Sequence, residues 1–249
     1  MKSTFINTIA LTASAVVYSH AIFGIGGQWA PAPSLEVKAS KAEIFGSGAN
    51  ALSIDQAKVS GLQGVGVKLW VDVLPFIDIE GGSNVQFGYY DVTLLGPSDT
   101  KVPLKFDLKV PFVEGKPVFA RIVNDLTVLY PFLKFPPLVS IVKLSAGAGI
   151  TQVLSTSVLN TEFSKKAIAK ANLPSTATMD EVSKALTKGI IDDGLSSGMG
   201  FHLEASAKAK IPVIPIAVFA DVKYHFLNSM PKGVDGSSMT YELGGALAF

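Results

Sequence analysis

Cysteine is absent from this chain of 249 residues. That excludes a disulfide framework, a thiolate metal cluster and the lipid-bearing cysteine of an anchored lipoprotein. Charge of one sign is lacking too: 21 Lys and Arg stand against 20 Asp and Glu, so there is no basic excess of the kind that tracks nucleic acid. Beyond the N-terminal stretch, no run approaches the roughly 20 uninterrupted apolar residues of a membrane-spanning helix. Neither a phosphate-cradling glycine loop nor a Gly-x-Ser-x-Gly elbow is present. Yet the mean hydropathy is +0.39, so the apolar residues must be dispersed along the chain rather than gathered into runs.

They are dispersed with a period of two. Val65, Val67, Leu69, Val71 and Val73 alternate with Gly64, Gly66, Lys68, Trp70 and Asp72. Ile77, Ile79, Val85, Phe87 and Tyr89 stand against Asp78, Glu80, Asn84, Gln86 and Gly88, after a turn marked by Pro75. Val102, Leu104, Phe106, Leu108 and Val110 alternate with Lys101, Lys105, Asp107 and Lys109. Weaker runs follow at about 117–130 and 138–150. Near the end, 199–211 and 216–226 make a hairpin around Pro212 and Pro215, with His202, Glu204, Ser206, Lys208, Lys210, Phe219, Asp221, Lys223 and His225 sharing one side. Only a strand with one oily face has this period. Phe23, Ile25, Gly27 and Trp29 suggest a glycine-rich first strand, and 35–40 another.

The segment 239–249 alternates in the same way and closes on Phe249, with Tyr241, Gly244 and Leu247 upstream. It resembles the C-terminal strand of Gram-negative outer-membrane β-barrels. The resemblance implies that Tyr241, Gly244, Leu247 and Phe249 form an insertion signal read by the barrel assembly machinery, and that the protein sits in outer-membrane lipid. The N-terminal residues fit that destination: Lys2, an apolar stretch at about 5–18 and Ser19-His20-Ala21 have the form of a secretory signal peptide, 1–21, that leaves 22–249 as the barrel.

The expected fold is therefore all-β, an antiparallel transmembrane barrel of about eight to ten strands. Ten requires the 35–45 segment to join the barrel; eight requires a run such as 101–110 to lie outside the membrane. A Lys or Arg facing lipid at mid-bilayer would cost about 2–4 kcal/mol. The charged faces, Lys68, Asp72, Asp78, Glu80, Lys101, Lys105, Asp107, Lys109, Arg121, Asp125, Lys143, Glu204, Lys208, Lys210, Asp221, Lys223 and Glu242, are thus expected to point inward and pair across a narrow lumen. Trp29, Phe87, Tyr89, Tyr130, Phe132, Phe201, Tyr224, Phe226 and Tyr241 are placed for interfacial girdles.

One stretch, 152–197, breaks the period. Thr178 and Glu181 form a capping box, Val182, Ala185, Leu186, Gly189 and Ile190 share a helical face, and Gly194 suits the stop. A shorter helix is expected near 161–171, with Phe163, Ala167 and Ile168 inward. Counting strands back from Phe249 places this insert on the extracellular side, as plug, gate or displayed surface.

Chemistry is sparse. A two-residue turn would set His202 opposite His225, Glu204 opposite Lys223 and Ser206 opposite Asp221. Ser206 lies four residues from His202, about 13 Å along a strand, too far for a Ser-His pair. His202, His225 and Glu204 invite a transition metal, but spacing fixes no third ligand. The acidic group Asp72, Asp78 and Glu80 lacks the dense loop of a calcium motif. The expectation is no enzyme, no cofactor, no metal and no nucleic acid. The barrel would be structural or pass a small or hydrophobic solute, or else anchor a surface interaction module. A soluble periplasmic lipid-binding β-protein is the remaining alternative.

Overall fold

The computed structural model describes residues 23–45, 52–74, 76–96, 100–103, 106–110, 113–135, 141–174, 177–193, 195–211 and 214–249. The expected signal peptide, the residues Pro75, Leu104, Lys105, Pro212 and Val213, and the helix stop at Gly194 lie outside them. Strand β1 (Phe23–Trp29) is followed by three short strands, β2 (Ala32–Val37), β3 (Ser40–Phe45) and β4 (Leu52–Gln56). A long hairpin, β5 (Val59–Leu74) and β6 (Ile77–Tyr89), leads to β7 (Val92–Leu95), β8 (Lys101–Pro103), β9 (Phe106–Val110) and β10 (Val113–Gly115). Then come β11 (Val118–Phe135), β12 (Val142–Thr156), the helices α1 (Thr161–Lys170) and α2 (Met179–Asp193), and β13 (Leu195–Lys210), β14 (Ile216–Asn228) and β15 (Ser237–Ala248).

Eight of these strands close a ring. The order β1-β15-β14-β13-β12-β11-β6-β5 returns to its start through β1–β5 pairing, Phe23 opposite Val71 to Trp29 opposite Val65. Every neighbour in the ring is antiparallel. Alternation decides which face goes where. Val65, Val67, Leu69, Leu126, Val128, Phe201, Leu203, Val218 and Leu243 project outward and stay exposed, while Lys68, Glu80, Asn84, Arg121, His202, Asp221, Lys223 and Glu242 are buried inside. A face this apolar around a charged interior is built for lipid. Among the described residues no helix is long and apolar enough to cross a membrane; the strands do so. Of the aromatics named for girdles, Trp29, Tyr130, Phe132, Phe201, Tyr224 and Tyr241 are exposed on the outer face, and Phe87, Tyr89 and Phe226 are half-buried.

The expected boundaries move in places. The run at 101–110 is no barrel strand: it splits into β8 and β9, in two separate small sheets. Pro103 falls within it and has no N–H to give to a continuous ladder. Lys101 is exposed rather than luminal, and Asp107 and Lys109 belong to β9, so the inward placement of this run is withdrawn. Segment 35–45 is extended but leaves the ring as β2 and β3. Strand β11 runs past Pro131 to Phe135, and its register against β12 shifts between Pro131 and Leu133, which absorbs the missing donor. The helical insert is narrower than 152–197, because β12 keeps alternating through Thr151, Val153 and Ser155, all buried, and β13 begins at Leu195.

The longer connections emerge at the end away from Phe23 and Phe249, and both helices, β3, β4, β7 and β8 fold together there as a cap. Strands β3, β4, β7 and β8 form a four-stranded sheet. Leu35, Val37, Ile54, Leu62, Val92, Leu94, Phe119, Leu159, Ile168, Val182 and Leu186 form one buried apolar cluster with partners from all of these connections. Helix α1 starts at Asn160, whose Oδ1 accepts the Phe163 N–H at 2.9 Å, and it buries Phe163, Ser164, Ala167 and Ile168. The capping box of α2 forms as read: the Thr178 N–H and hydroxyl donate to Glu181 Oε2 at 2.7 and 2.9 Å. These bonds hold the Glu181 carboxyl below the usual range. Gly189 lets α2 cross α1 closely, since a Cβ there would meet the Ala167 Cβ at 2.7 Å.

Candidate functional site: a layered lumen beneath a cap

The expected cross-strand register of the last hairpin is present. His202 lies opposite His225, Glu204 opposite Lys223 and Ser206 opposite Asp221. All six side chains are buried. What spacing did not supply is the third dimension, in which residues from four or five strands meet at one point.

Lys68 on β5 is the hub. Its Nζ lies 2.5 Å from Asp221, 3.0 Å from Glu80, 3.1 Å from Glu242 and 3.5 Å from Glu204. Lys208 pairs with Glu80 from the opposite side. Lys223 reaches Glu242 at 3.1 Å, Asp125 at 3.2 Å and Glu204 at 3.8 Å. Nearer the Phe23 end, Lys143 joins Asp78 at 2.5 Å and Asp72 at 3.1 Å. Nearer the cap, Arg121 donates through Nε to Gln86 at 2.7 Å and through Nη2 to Ser238 at 3.2 Å. Gln28 donates to Asn84, which donates to Glu242 at 2.8 Å. Among the described residues, Lys68, Glu204, Lys208, Asp221 and Lys223 thus share one cross-lumen network, and Asp72 stands in a separate group with Lys143 and Asp78. Asn84 and Thr127 join the network from faces the alternation marks as polar; Gln28, on the glycine-rich first strand, carries no such mark.

Apolar clusters lie against this ionic layer toward each end, beside Lys143, Asp72 and Asp78 at one and Arg121 at the other. Toward the Phe23 end, Trp70 and Phe219 meet edge to face at 6.0 Å among Ala217, Ala246 and Ala248. Lys208 Nζ lies 4.8 Å from the Trp70 ring centre and Lys68 Nζ 5.0 Å from that of Phe219, within cation–π range. Glycine makes the floor possible: a Cβ at Gly24 would stand 2.2 Å from the Trp70 ring, and one at Gly244 2.4 Å from that of Phe219. The inward glycines at 64–66, 147–149 and 198–200 are likewise positions of close approach rather than a nucleotide loop. Toward the cap, Val123, Val153 and Leu227 form the ceiling.

The two histidines sit just below that ceiling. Thr127 Oγ1 lies 2.8 Å from His202 Nε2, and Thr151 Oγ1 lies 2.8 Å from His202 Nδ1 while donating to Asp125 Oδ1 at 2.7 Å. His225 Nε2 lies 3.3 Å from Asp125 Oδ1, and its Nδ1 is buried without a hydrogen-bond partner. Ser206 faces Asp221 and Ser145 across the ladders, away from both imidazoles in sequence.

At the seam, Phe23 and Phe249 exchange backbone hydrogen bonds of 3.2 and 2.9 Å and stack at 5.3 Å. Tyr241, Leu247 and Phe249 point outward and Gly244 inward on or beside β15. On the cap, a cleft of about 410 Å³ opens at the start of α1 between Lys38, Ser40, Asn160, Thr161, Lys165 and Lys232.

No protein-family model and no curated protein matches the chain. Solved structures do. The outer membrane protein OprG from Pseudomonas aeruginosa is 12% identical and superposes with a TM-score of 0.53 over 92% of this chain and 97% of that one. This is the fold of an outer-membrane β-barrel. The outer-membrane barrel also has weaker likenesses. Neisserial surface protein A is 12% identical with a TM-score of 0.44 over 91% and 97% of the two chains. The attachment invasion locus protein Ail of Yersinia pestis, bound to sucrose octasulfate, is 12% identical with a TM-score of 0.39 over 91% and 96%.

Proposed function

We propose that this outer-membrane barrel is a closed anchor that displays its cap at the cell surface as an interaction module. The observation that supports this reading is the layered lumen: an aromatic floor, a cross-bridged ionic layer and an apolar ceiling leave little reason for an aqueous path. Helices α1 and α2 then serve as part of a packed surface body, with the cleft between Lys38, Asn160, Lys165 and Lys232 as its binding feature. No catalytic step is assigned to the lumen, since its serine and histidines are apart along the strand. Residues 1–21 act as the export signal in this reading. Tyr241, Gly244, Leu247 and Phe249 serve the assembly machinery, supported by the place of the first three on β15 and of Phe249 just after it, where the ring closes on β1.

A second reading makes the helices a gate for a small solute, supported by their position over the mouth through Phe119 and Leu159. One experiment separates the two: single-channel conductance in planar bilayers of the whole protein and of a version in which a short Gly-Ser link replaces 157–194. An anchor is silent in both forms. Conductance that appears only after removal would make the helices a gate, and conductance of the whole protein would overturn the closed lumen.

A further inference from the structure

The ionic layer is not balanced. Lys68, Lys143, Lys208, Lys223 and Arg121 are the buried cations, and they face Asp72, Asp78, Glu80, Asp125, Glu204, Asp221 and Glu242. Asp72 is one-fifth exposed; with it set aside, five buried cations face six buried carboxylates, which leaves the enclosed interior net negative. Uncompensated buried charge is costly, so the lumen must take up protons or a cation.

One place in it has the donors for a cation. Asp125, His202 and His225 come from β11, β13 and β14, and their ligand atoms all lie within 4.8 Å of one another. Asp125 Oδ1 is 3.5 Å from His202 Nδ1 and 3.3 Å from His225 Nε2. These separations are long for hydrogen bonds between such groups. They match the edge of a tetrahedron whose centre lies about 2.0–2.1 Å from each donor, an edge of about 3.3–3.4 Å, the geometry of zinc bound by imidazole and carboxylate. Thr151 Oγ1, which donates to Asp125 Oδ1 at 2.7 Å and lies 2.8 Å from His202 Nδ1, bridges two of the three groups by hydrogen bonds when no ion is between them. Thr127 holds the other His202 nitrogen at 2.8 Å, the orienting contact that a ligating imidazole needs. Lys223 engages Asp125 through Oδ2 at 3.2 Å, and His225 Nε2 lies almost equally far from the two carboxylate oxygens, 3.3 Å from Oδ1 and 3.4 Å from Oδ2. Gly149 clears the space, since a Cβ there would stand 2.6 Å from the His202 ring.

From this geometry and the charge deficit we infer that Asp125, His202 and His225 form a lumen site for one divalent transition ion of the zinc class. Two imidazoles and one carboxylate select against calcium and magnesium, which take oxygen donors. A cation there offsets the negative excess and ties three strands of the ring. The inference stands apart from the anchor reading, since a closed or a gated barrel would hold the ion equally well.

The apolar floor and ceiling enclose the site, so the ion is best offered while the barrel closes. The chain is refolded from urea into detergent with Zn2+, with Mg2+ or with chelator, desalted, and its bound metal counted by elemental mass spectrometry. The folded fraction is followed as the heat-modifiable band on gels. The expected result is about one Zn2+ per folded chain, no retained Mg2+, and a higher temperature for loss of the folded band with Zn2+. His202→Gln with His225→Gln should weaken zinc binding by more than about 100-fold. Folded wild-type protein that retains no zinc would overturn the site, as would a folded double variant that retains it equally. If the double variant gives no folded band, Co2+ in the wild-type barrel decides: an absorption spectrum of imidazole-ligated Co2+ supports the site, and that of hydrated Co2+ removes it.

Discussion

The barrel and its cap solve the same problem with opposite faces. In the barrel, Val67 is exposed and its neighbour Lys68 is fully buried; in the cap, Ile54 is fully buried and its neighbour Asp55 is exposed. Both pairs sit on strands with the same two-residue period. What differs is the solvent, lipid around one and water around the other, so each strand turns inward whichever face its surroundings refuse. The energetic consequence differs as well. The cap core is held by apolar burial, which is non-directional. The lumen is held by charges that satisfy one another only in one register.

The strongest way to break the contrast is Lys68→Met. It removes the cation shared by four carboxylates, and loss of one partner in a buried ionic cluster costs about 3–5 kcal/mol. The expected outcome is loss of most of the heat-modifiable band, while the same substitution at exposed Lys58 leaves it unchanged. A normal yield of folded Lys68→Met would mean that the lumen is hydrated. Next in size is Leu186→Ala in α2, a fully buried cap residue, expected to destabilise the cap by about 2–4 kcal/mol. Limited proteolysis should then cut within 157–194 and spare the barrel; resistance equal to wild type would show that the helices contribute little to the cap core. Smallest is Asn160→Ala, which removes the α1 cap bond and is worth about 1 kcal/mol. Its signature is faster amide exchange confined to the first turn of α1, and exchange spreading into the barrel strands would show that the two regions are coupled.

Much of the barrel was legible because each spanning strand carries its own evidence: 64–72 and 199–210 alternate without error and fix their inward faces unaided. Helix α2 was legible for the same reason, since Thr178, Glu181, Val182 and Leu186 act within a few residues of one another. The cap sheet was not. Strands β3, β4, β7 and β8 are three to six residues long, too short to distinguish a barrel strand from an excursion, and 101–110 mimicked a spanning strand because Pro103 interrupts its ladder but not its hydropathy. The candidate site was half legible. His202 and His225 face each other across one hairpin, where turn and register suffice. Asp125 stands two strands away on β11, and Thr151 lies between them on β12; their meeting depends on ring closure, which no local spacing encodes.

Because β1 pairs on both sides, with β15 and with β5, the ring presents no row of free backbone donors and acceptors to another chain. The four-stranded cap sheet does have borders, β3 and β8. One is lined by Lys101 and Pro103, residues that discourage strand addition. Beside the other lies α1, with Thr161 Oγ1 3.4 Å from Ser40 Oγ of β3. Among the described residues, growth of the ring or of the four-stranded sheet into a continuous intermolecular sheet is therefore closed off in the membrane and guarded outside it, and a partner must meet these two sheets through side chains rather than by lending them a strand.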